Sequence, residues 1–194
     1  MKNKVNRPEE RQPEEKDAKT ISAMKEVFSW IIVIALAILF SLFLNRVILI
    51  NAEVPTGSME NTIMPGDKLI GSRLAYLNKD PLRGDIVVFR YPDDEAQIYV
   101  KRVIGLPGET ITIEDGKVYI DGLELKEDYL KEEWTISTGP YTFEVPEGCY
   151  LMMGDNRNNS WDARFWRNSY VSKDKILGKA LYRYWPLNEM KKLK

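Results

Sequence analysis

The chain has 194 residues, with 28 Lys and Arg against 29 Asp and Glu and a formal net charge of −1. This length fits one domain of ordinary size with an appendage, and the balanced charge argues against nucleic acid as a partner, because phosphate binding requires a basic surface. The chain has no histidine and a single cysteine, Cys149, so the usual zinc ligand sets cannot be assembled. Neither a metal nor another cofactor is predicted.

The first residues of the chain are charged, punctuated by proline and almost free of large apolar side chains. Such a composition is typical of disorder, since it offers little apolar surface to bury. We therefore predict a disordered cytoplasmic tail over residues 1–25.

An uncharged apolar run of 18 residues, VFSWIIVIALAILFSLFL, begins at Val27. Continued as a helix to Ile50, it would be about 36 Å long, against a hydrocarbon core of about 30 Å. The alternative is a cleaved secretory signal, but the apolar core of a signal is shorter, and cleavage after Ala52 would need a small residue at Ile50. The run predicts a transmembrane helix over residues 26–50.

Basic residues are more numerous before this helix than after it. Lys16, Lys19 and Lys25 precede it closely, whereas Arg46 is the only basic residue near its other end. By the positive-inside rule the N-terminus is cytoplasmic. The sequence thus predicts a single-pass protein of the cell membrane with residues 51–194 on the extracytoplasmic side.

Beyond the anchor, short apolar or alternating runs are separated by glycine, proline and aspartate. In the clearest, TITIEDGKVYI, two alternating runs flank Asp115-Gly116, a pair suited to a type I′ hairpin turn. The other runs are DKLIGS, GDIVVFRY, QIYVKRVIG, YTFEV, GCYLMMGD and GKALYRYW. Strands of this length predict a mainly β domain, an antiparallel β-sandwich or partly open barrel, with only a turn or two of helix near residues 73–78 and 171–176.

Ser58 lies in VPTGSMENT, shortly after the predicted anchor. Pro55 and Gly57 leave little bulk around its hydroxyl, which favours access by a carbonyl group, but such strings are also common in ordinary loops. A serine hydroxyl needs a base to act as a nucleophile. Because the chain has no histidine, that base would be a lysine or a carboxylate.

Lys101 lies in the strand-like run IYVKRVIG. Alternation places it on one face with Tyr99 and Val103, where burial would favour the neutral amine. A drop of roughly 3 units from the free pKa near 10.4 would make it a useful base at neutral pH. The alternative is an edge-strand lysine that discourages aggregation, and the residues alone leave both interpretations open.

A dense polar stretch, GDNRNNSWDAR, follows the apolar run CYLMM. Its Ser160 is able to hydrogen-bond an amine, and Asp155, Asp162, Arg157 and Arg164 are able to form a supporting network. Taken alone, the stretch is equally typical of a solvated turn.

Four motifs follow the anchor in order: PTGSM, RGDIVVFRYP, VKRVIGLPG and GDNRNNSWDAR. Together they resemble the type I signal peptidases (leader peptidases) of bacteria, and the single anchor and short domain are similar to the Gram-positive members. The likeness runs from about Val54 to Tyr184. It implies an all-β serine endopeptidase that removes N-terminal signal peptides from secreted preproteins with a Ser-Lys dyad.

Position by position, the resemblance implies that Ser58 is the nucleophile and Lys101 the general base. Ser160 matches the serine that hydrogen-bonds the lysine amine, and Thr56 matches the residue whose hydroxyl, with the Ser58 backbone N–H, lines the oxyanion hole. Further matches are residues that hold the shape of the site: Asp155, Asp162 and Arg164.

Two positions depart from the family pattern. The family usually has proline where this chain has Asn61, and serine where it has Ala163. Neither is the nucleophile or the base, so the departures bear on the geometry of the site. The implied partners are secreted preproteins with small-x-small cleavage sites and membrane lipid, with Met59 expected to reach the interface.

Three rival interpretations differ in what they would require. A self-cleaving Ser-Lys repressor would need a DNA-binding helical domain in place of the tail and anchor. A non-catalytic, membrane-tethered β-domain would be expected to lack the serine or the lysine, and both are present. A general membrane protease would tolerate bulky residues at the cleavage site.

Overall fold

The computed structural model describes residues 12–194, with side chains from residue 21 onward. The chain divides into two compact units, one ending with Leu44 and the other comprising Asn45–Lys194.

The first unit is the helix α1, Gln12–Phe43. Its side chains from residue 21 to residue 43 are all exposed, and the stretch Ile21–Ile48 is long and apolar enough to cross a membrane. A helical stretch that is apolar on every face has no polar surface suited to water. This part of the helix therefore supports the predicted membrane anchor.

Both ends of the predicted anchor are corrected. The helix begins at Gln12, so residues 12–25 are helical where a disordered tail is predicted; this segment is poor in apolar residues but rich in Glu, Lys and Ala, which are good helix formers. The rest of the predicted tail, residues 1–11, lies outside the described residues. At the other end one π-helical turn, Leu44–Ile48, leads into a strand that begins at Leu49.

The second unit is built from twelve antiparallel strands. Their bounds are β1 Leu49–Glu53, β2 Lys68–Ser72, β3 Ile86–Tyr91, β4 Asp94–Gly105, β5 Thr110–Glu114, β6 Lys117–Ile120, β7 Leu123–Glu124, β8 Tyr141–Glu144, β9 Cys149–Met153, β10 Tyr170–Ser172, β11 Ile176–Trp185 and β12 Lys191–Lys192. The larger sheet has the order β1-β2-β11-β3-β4-β9-β10, with β12 paired to β11, and the smaller sheet has the order β7-β6-β5-β8.

The smaller sheet contains the predicted hairpin. β5 and β6 pair with Glu114 opposite Lys117, and the two turn residues between them, Asp115 and Gly116, have φ values of 50° and 74°. Positive φ at both central positions is what a type I′ turn requires, so the prediction is confirmed.

Two hydrophobic clusters lie on opposite faces of β3. Val87 and Phe89 pack into a cluster that also contains Ile111 of the smaller sheet, so the two sheets share this core. Val88 packs into a second cluster with Val54. The alternation follows from the two-residue period of a strand.

The fold class predicted from the sequence is confirmed: the domain is mainly β and antiparallel, and its described strands do not close into a barrel. Each predicted apolar run contains an observed strand, and the two predicted helical turns are short 3-10 helices, Arg73–Tyr76 and Lys173–Lys175. The strands β1, β7, β10 and β12 are not predicted.

Candidate active site

A cleft of about 690 Å³ separates two segments of the β-domain. One wall is formed by residues 51–58, the last three residues of β1 and the loop that follows it, and the other by residues 97–101 of β4. Ser58, Lys101 and Thr56 all line this cleft. Side chains that are 43 residues apart in the sequence, Ser58 and Lys101, are therefore brought to one concave site.

Ser58 lies on a short 3-10 turn, Gly57–Met59. Met59 is buried in the second cluster, and this packing anchors the turn to the core. Asn156 donates two hydrogen bonds to this turn. Its backbone N–H donates to the Ser58 carbonyl at 3.0 Å, and its side-chain amide donates to the Gly57 carbonyl at 3.0 Å. Ser58 itself is 8% exposed, so the residue is held at the cleft and largely shielded from solvent.

Thr56 precedes this turn in an extended conformation, with φ −125° and ψ 156°. Its hydroxyl makes no hydrogen bond that caps the turn, and the residue is exposed at the cleft. The hydroxyl is thus available to a group bound beside Ser58.

Lys101 lies on β4, opposite Val87 of β3. The residue is 4% exposed, and among the described residues its amine makes no hydrogen bond and no ion pair; the nearest ring is that of Tyr99, with its centroid 5.9 Å from Nζ. The Lys101 amine and the Ser58 hydroxyl do not hydrogen-bond to each other, as is common in substrate-free sites.

Burial lowers the pKa of Lys101 from 10.5 to about 8. The carboxylates of Asp162 and Asp155 act in the opposite direction, and the guanidinium of Arg164 adds to the lowering. Desolvation dominates because it penalises only the charged form. A substantial fraction of the amine is consequently neutral near pH 8.

Ser160 lies beside the turn that carries Ser58. A Cβ atom added at Gly154 would collide with both the Ser160 hydroxyl and the Ser58 carbonyl, so all three residues meet closely and only glycine fits between them. The Ser160 hydroxyl is buried and has no hydrogen-bond partner among the described residues. An unsatisfied hydroxyl of this kind is costly and is available to an amine or a substrate group.

Asp162 and Arg164 form a buried ion pair. Arg164 Nε donates to Asp162 Oδ1 at 2.8 Å, and neither side chain is exposed. Asp162 also accepts from the Gly154 N–H at 3.1 Å, and Arg164 donates to the Arg157 carbonyl at 2.9 Å. Burial alone would raise the pKa of Asp162, but the hydrogen bond and charge of Arg164 outweigh it and hold the pKa below its ordinary value.

Asp155 belongs to a separate buried pair. Arg102 donates to its two carboxylate oxygens at 2.8 and 2.7 Å, and the Thr62 hydroxyl donates at 2.5 Å. Such two-pronged pairs fix geometry as well as charge. Together the two ion pairs fix the polar loop after β9 at one position before Ser160 in the sequence and at another after it.

The two departures from the family pattern have clear local causes. Asn61 has φ 84°, which proline cannot adopt, and its side-chain amide donates to the Tyr129 and Leu130 carbonyls at 3.2 and 3.4 Å. Ala163 is fully buried in the core shared by the two sheets. A serine there would have to bury its hydroxyl, whereas alanine does not.

Sequence reasoning missed several residues of this site. Asn156, which holds the nucleophile turn, lies inside a quoted motif but gives no signal of its contact. The burial of Arg102 and its pairing with Asp155 depend on a partner more than fifty residues away. Trp161 lines the cleft, but nothing in the sequence distinguishes it from its neighbours.

A family model and relatives of similar sequence give a consistent result. A family model described as signal peptidase, peptidase S26, matches residues 27–185. A probable signal peptidase I-2 from Synechocystis is 40% identical over 69% of this chain and 62% of its own length. Signal peptidase IB from Staphylococcus aureus is 31% identical over 86% of this chain and 94% of its own length. A signal peptidase I from Enterococcus faecalis, known from a crystal structure, is 36% identical in sequence. The match covers 52% of this chain and 97% of the Enterococcus faecalis chain, with a TM-score of 0.45.

Proposed function

The chain belongs to the peptidase S26 family of signal peptidases, and on that premise we propose that Ser58 is its nucleophile and Lys101 its general base. The protein is a membrane-anchored serine endopeptidase that removes signal peptides from secreted preproteins with a Ser-Lys dyad. The observation that carries the assignment is a single cleft lined by a shielded serine and by a buried lysine with a lowered pKa.

The neutral Lys101 amine takes the proton of Ser58 as the serine oxygen attacks the scissile carbonyl carbon. Lysine suits this role only while its amine is shielded from solvent, because hydration would favour the protonated, charged form. Ser160, whose buried hydroxyl has no hydrogen-bond partner in the part of the chain that the structure describes, orients the amine. The ammonium then gives its proton to the leaving amine, and water activated by the same amine hydrolyses the acyl-enzyme.

The oxyanion that forms in the first step needs hydrogen-bond donors. The Ser58 backbone N–H and the Thr56 hydroxyl are proposed to supply them, since Thr56 is exposed at the cleft and makes no capping bond. Asp155, Asp162 and Arg164 act through the loop that they fix and do not contact the substrate.

The cleft also accounts for how a precursor would bind. β4 pairs with β3 along one edge, but its pairing with β9 covers only Arg102–Gly105. The other edge of residues 97–101 is therefore free at the cleft, where an extended peptide can add as a strand. Ala52, Val54 and Val100 border the same cleft and pack on the second cluster, leaving room for small side chains. We propose small-x-small cleavage sites on this basis.

The proposed location is the cell membrane, with the N-terminus in the cytoplasm and residues 51–194 as the extracytoplasmic protease domain. The support is the excess of lysine before the anchor.

Membrane lipid is proposed as a second partner, but the residue expected to contact it is corrected. Met59 is buried with 1% exposure, because it anchors the nucleophile turn. Instead, Trp185, Leu187 and Met190 are each exposed near the end of the sequence of this domain, and Lys191 and Lys192 of β12 follow them. Tryptophan beside lysine is typical of a surface that contacts the lipid interface.

The test uses the full-length protein in detergent micelles with a preprotein carrying an Ala-x-Ala site. Ser58→Ala and Lys101→Ala should each abolish processing, whereas the matched controls Ser72→Ala and Lys79→Ala should retain it. A precursor with bulky residues in place of both alanines should not be cut. Processing by either dyad variant would overturn the mechanism, and cleavage of the bulky precursor would indicate a general membrane protease.

A further inference from the structure

Trp161 is a large apolar side chain that the fold leaves exposed inside the cleft. It is 56% exposed and lines the same cleft as Ser58 and Lys101, yet it takes no part in the chemistry described above. Exposed tryptophans in concave sites are frequent anchors for a bound partner, because the ring offers a large contact area.

The indole ring is held in one orientation before anything binds. It stacks on Phe165 with centroids 5.6 Å apart and an interplanar angle of 17°. Its Nε1–H donates to the Tyr91 hydroxyl at 3.3 Å, and Tyr91 in turn stacks on Tyr99 of β4 at 4.6 Å. A ring fixed in this way loses little conformational entropy when a ligand contacts it.

The cleft has two chemically different sides, set by the alternation of β4. Val100 packs on the second cluster, beside Ala52 and Val54. Tyr99 packs on the first cluster, the core that the two sheets share. Lys101, Tyr91 and Trp161 are found on this same side of the cleft. A peptide that adds along β4 shares this alternation, so its successive side chains point to opposite sides.

We propose that Trp161 is a specificity-determining residue that contacts the middle residue of the small-x-small sequence. This inference rests on the proposed function, including strand addition along β4. The two small residues lie two positions apart and point to the side of Val54 and Val100. The residue between them then points to the side of Tyr99 and Trp161, where a flat or long apolar side chain stacks on the indole.

The enzyme should therefore prefer certain residues at the middle position of the cleavage site, where the small-x-small rule sets no preference. Precursors with Phe or Leu at the middle position should be cut more efficiently than precursors with Gly or Asp. A stacking contact of this kind corresponds to about a fivefold difference in kcat/KM. Because the contact is present in both the bound state and the transition state, the difference should appear in KM and leave kcat unchanged.

The experiment measures kcat and KM of the full-length protein in detergent micelles for four peptides that differ only in the middle residue of Ala-x-Ala, with Phe, Leu, Gly or Asp as x. In the wild type the KM for Phe should be about fivefold below that for Gly. Trp161→Ala should make the four KM values alike, and Trp161→Phe, which keeps a ring, should restore most of the difference. Leu123→Ala, which removes an exposed side chain of β7 outside the cleft, serves as the matched control and should behave as the wild type.

Two results would overturn the inference. In one, Trp161→Ala retains the wild-type order of KM values; in the other, it lowers kcat/KM equally for all four peptides, which would make Trp161 a structural part of the cleft wall. Both leave cleavage itself intact. If the wild type cuts none of the peptides, or if Ser58→Ala still cuts them, the proposed function fails instead.

Discussion

Replacing Lys101 by methionine should abolish cleavage and at the same time stabilise the folded protein. Methionine has nearly the length of the lysine side chain but no amine, so it fills the same buried space without a charge. In the wild type, the burial of a charged ammonium group on a residue that is 4% exposed destabilises the folded state. The variant should be more stable because it lacks this desolvation cost.

The magnitude follows from the lowered pKa. Burial moves the pKa of Lys101 from 10.5 to about 8, and each unit corresponds to about 1.4 kcal/mol, so the charged form is destabilised by about 3 kcal/mol in the folded state. Below pH 8 the lysine is charged in both the folded and the unfolded chain, and the full cost is present. Between pH 8 and 10.5 the unfolded chain binds the proton and the folded chain does not, so the stability of the wild type rises with pH.

The assay is urea unfolding of the full-length protein in micelles, followed by tryptophan fluorescence at pH 7 and again near pH 10.5. At pH 7, Lys101→Met should exceed the wild type by about 3 kcal/mol in the free energy of unfolding, and the gap should close as the pH rises. Lys117→Met, which removes an exposed lysine of β6, should leave the free energy nearly unchanged. A Lys101→Met protein that is less stable than the wild type at pH 7, or a stability difference that does not depend on pH, would contradict this prediction.

Three further predictions address the chemistry and the local geometry. The kcat/KM of the wild type should rise with pH and level off above an apparent pKa of about 8, since only the neutral Lys101 amine accepts the serine proton. Asp162→Asn removes a charge that raises this pKa, so the rising limb of the pH–rate profile should move to lower pH; a shift to higher pH would contradict the assignment. Thr56→Val should lower kcat by about 10²- to 10³-fold with little change in KM, while Thr56→Ser keeps most of the activity; a loss of only a few-fold in the valine variant would remove Thr56 from the oxyanion hole. Asn61→Pro, the change toward the family's usual residue, should lower the Tm, because proline cannot adopt the φ of 84° found there. Asn61→Gly tolerates that φ and should lose less, and an unchanged Tm in the proline variant would show that the turn rearranges freely.

The strands and their turns could be predicted because their signals are local. The hairpin around Asp115 and Gly116 needs only an alternating pattern and a two-residue turn that accepts positive φ. The strand β1 was missed for the opposite reason: Leu49 and Ile50 continue the apolar run of the anchor, and only their pairing with Ser72 and Gly71 shows that they are extended. The length of an apolar run does not indicate where a helix ends when a strand that begins with apolar residues follows directly.

The residues of the candidate site lie in motifs that the sequence shows, including the acidic and basic residues expected to support it, but several of the contacts that hold them are not predicted. Ser58 and Lys101 lie in motifs with a chemical meaning, and the absence of histidine from the sequence directs attention to lysine. The burial that lowers the pKa of Lys101 depends on residues distant in the sequence, as does the Asn156 contact that holds the nucleophile turn. Those contacts exist only once β4, β9 and the turn are packed together, so no local pattern records them.

Titration of the Lys101 amine itself tests the account most directly. In protein labelled with ¹³C at lysine Cε, the Lys101 signal is identified by its absence from the Lys101→Met spectrum, and its chemical shift is followed with pH. We expect a midpoint at about pH 8, well below that of the exposed Lys117. A midpoint near 10.4, as in a free lysine, would contradict it.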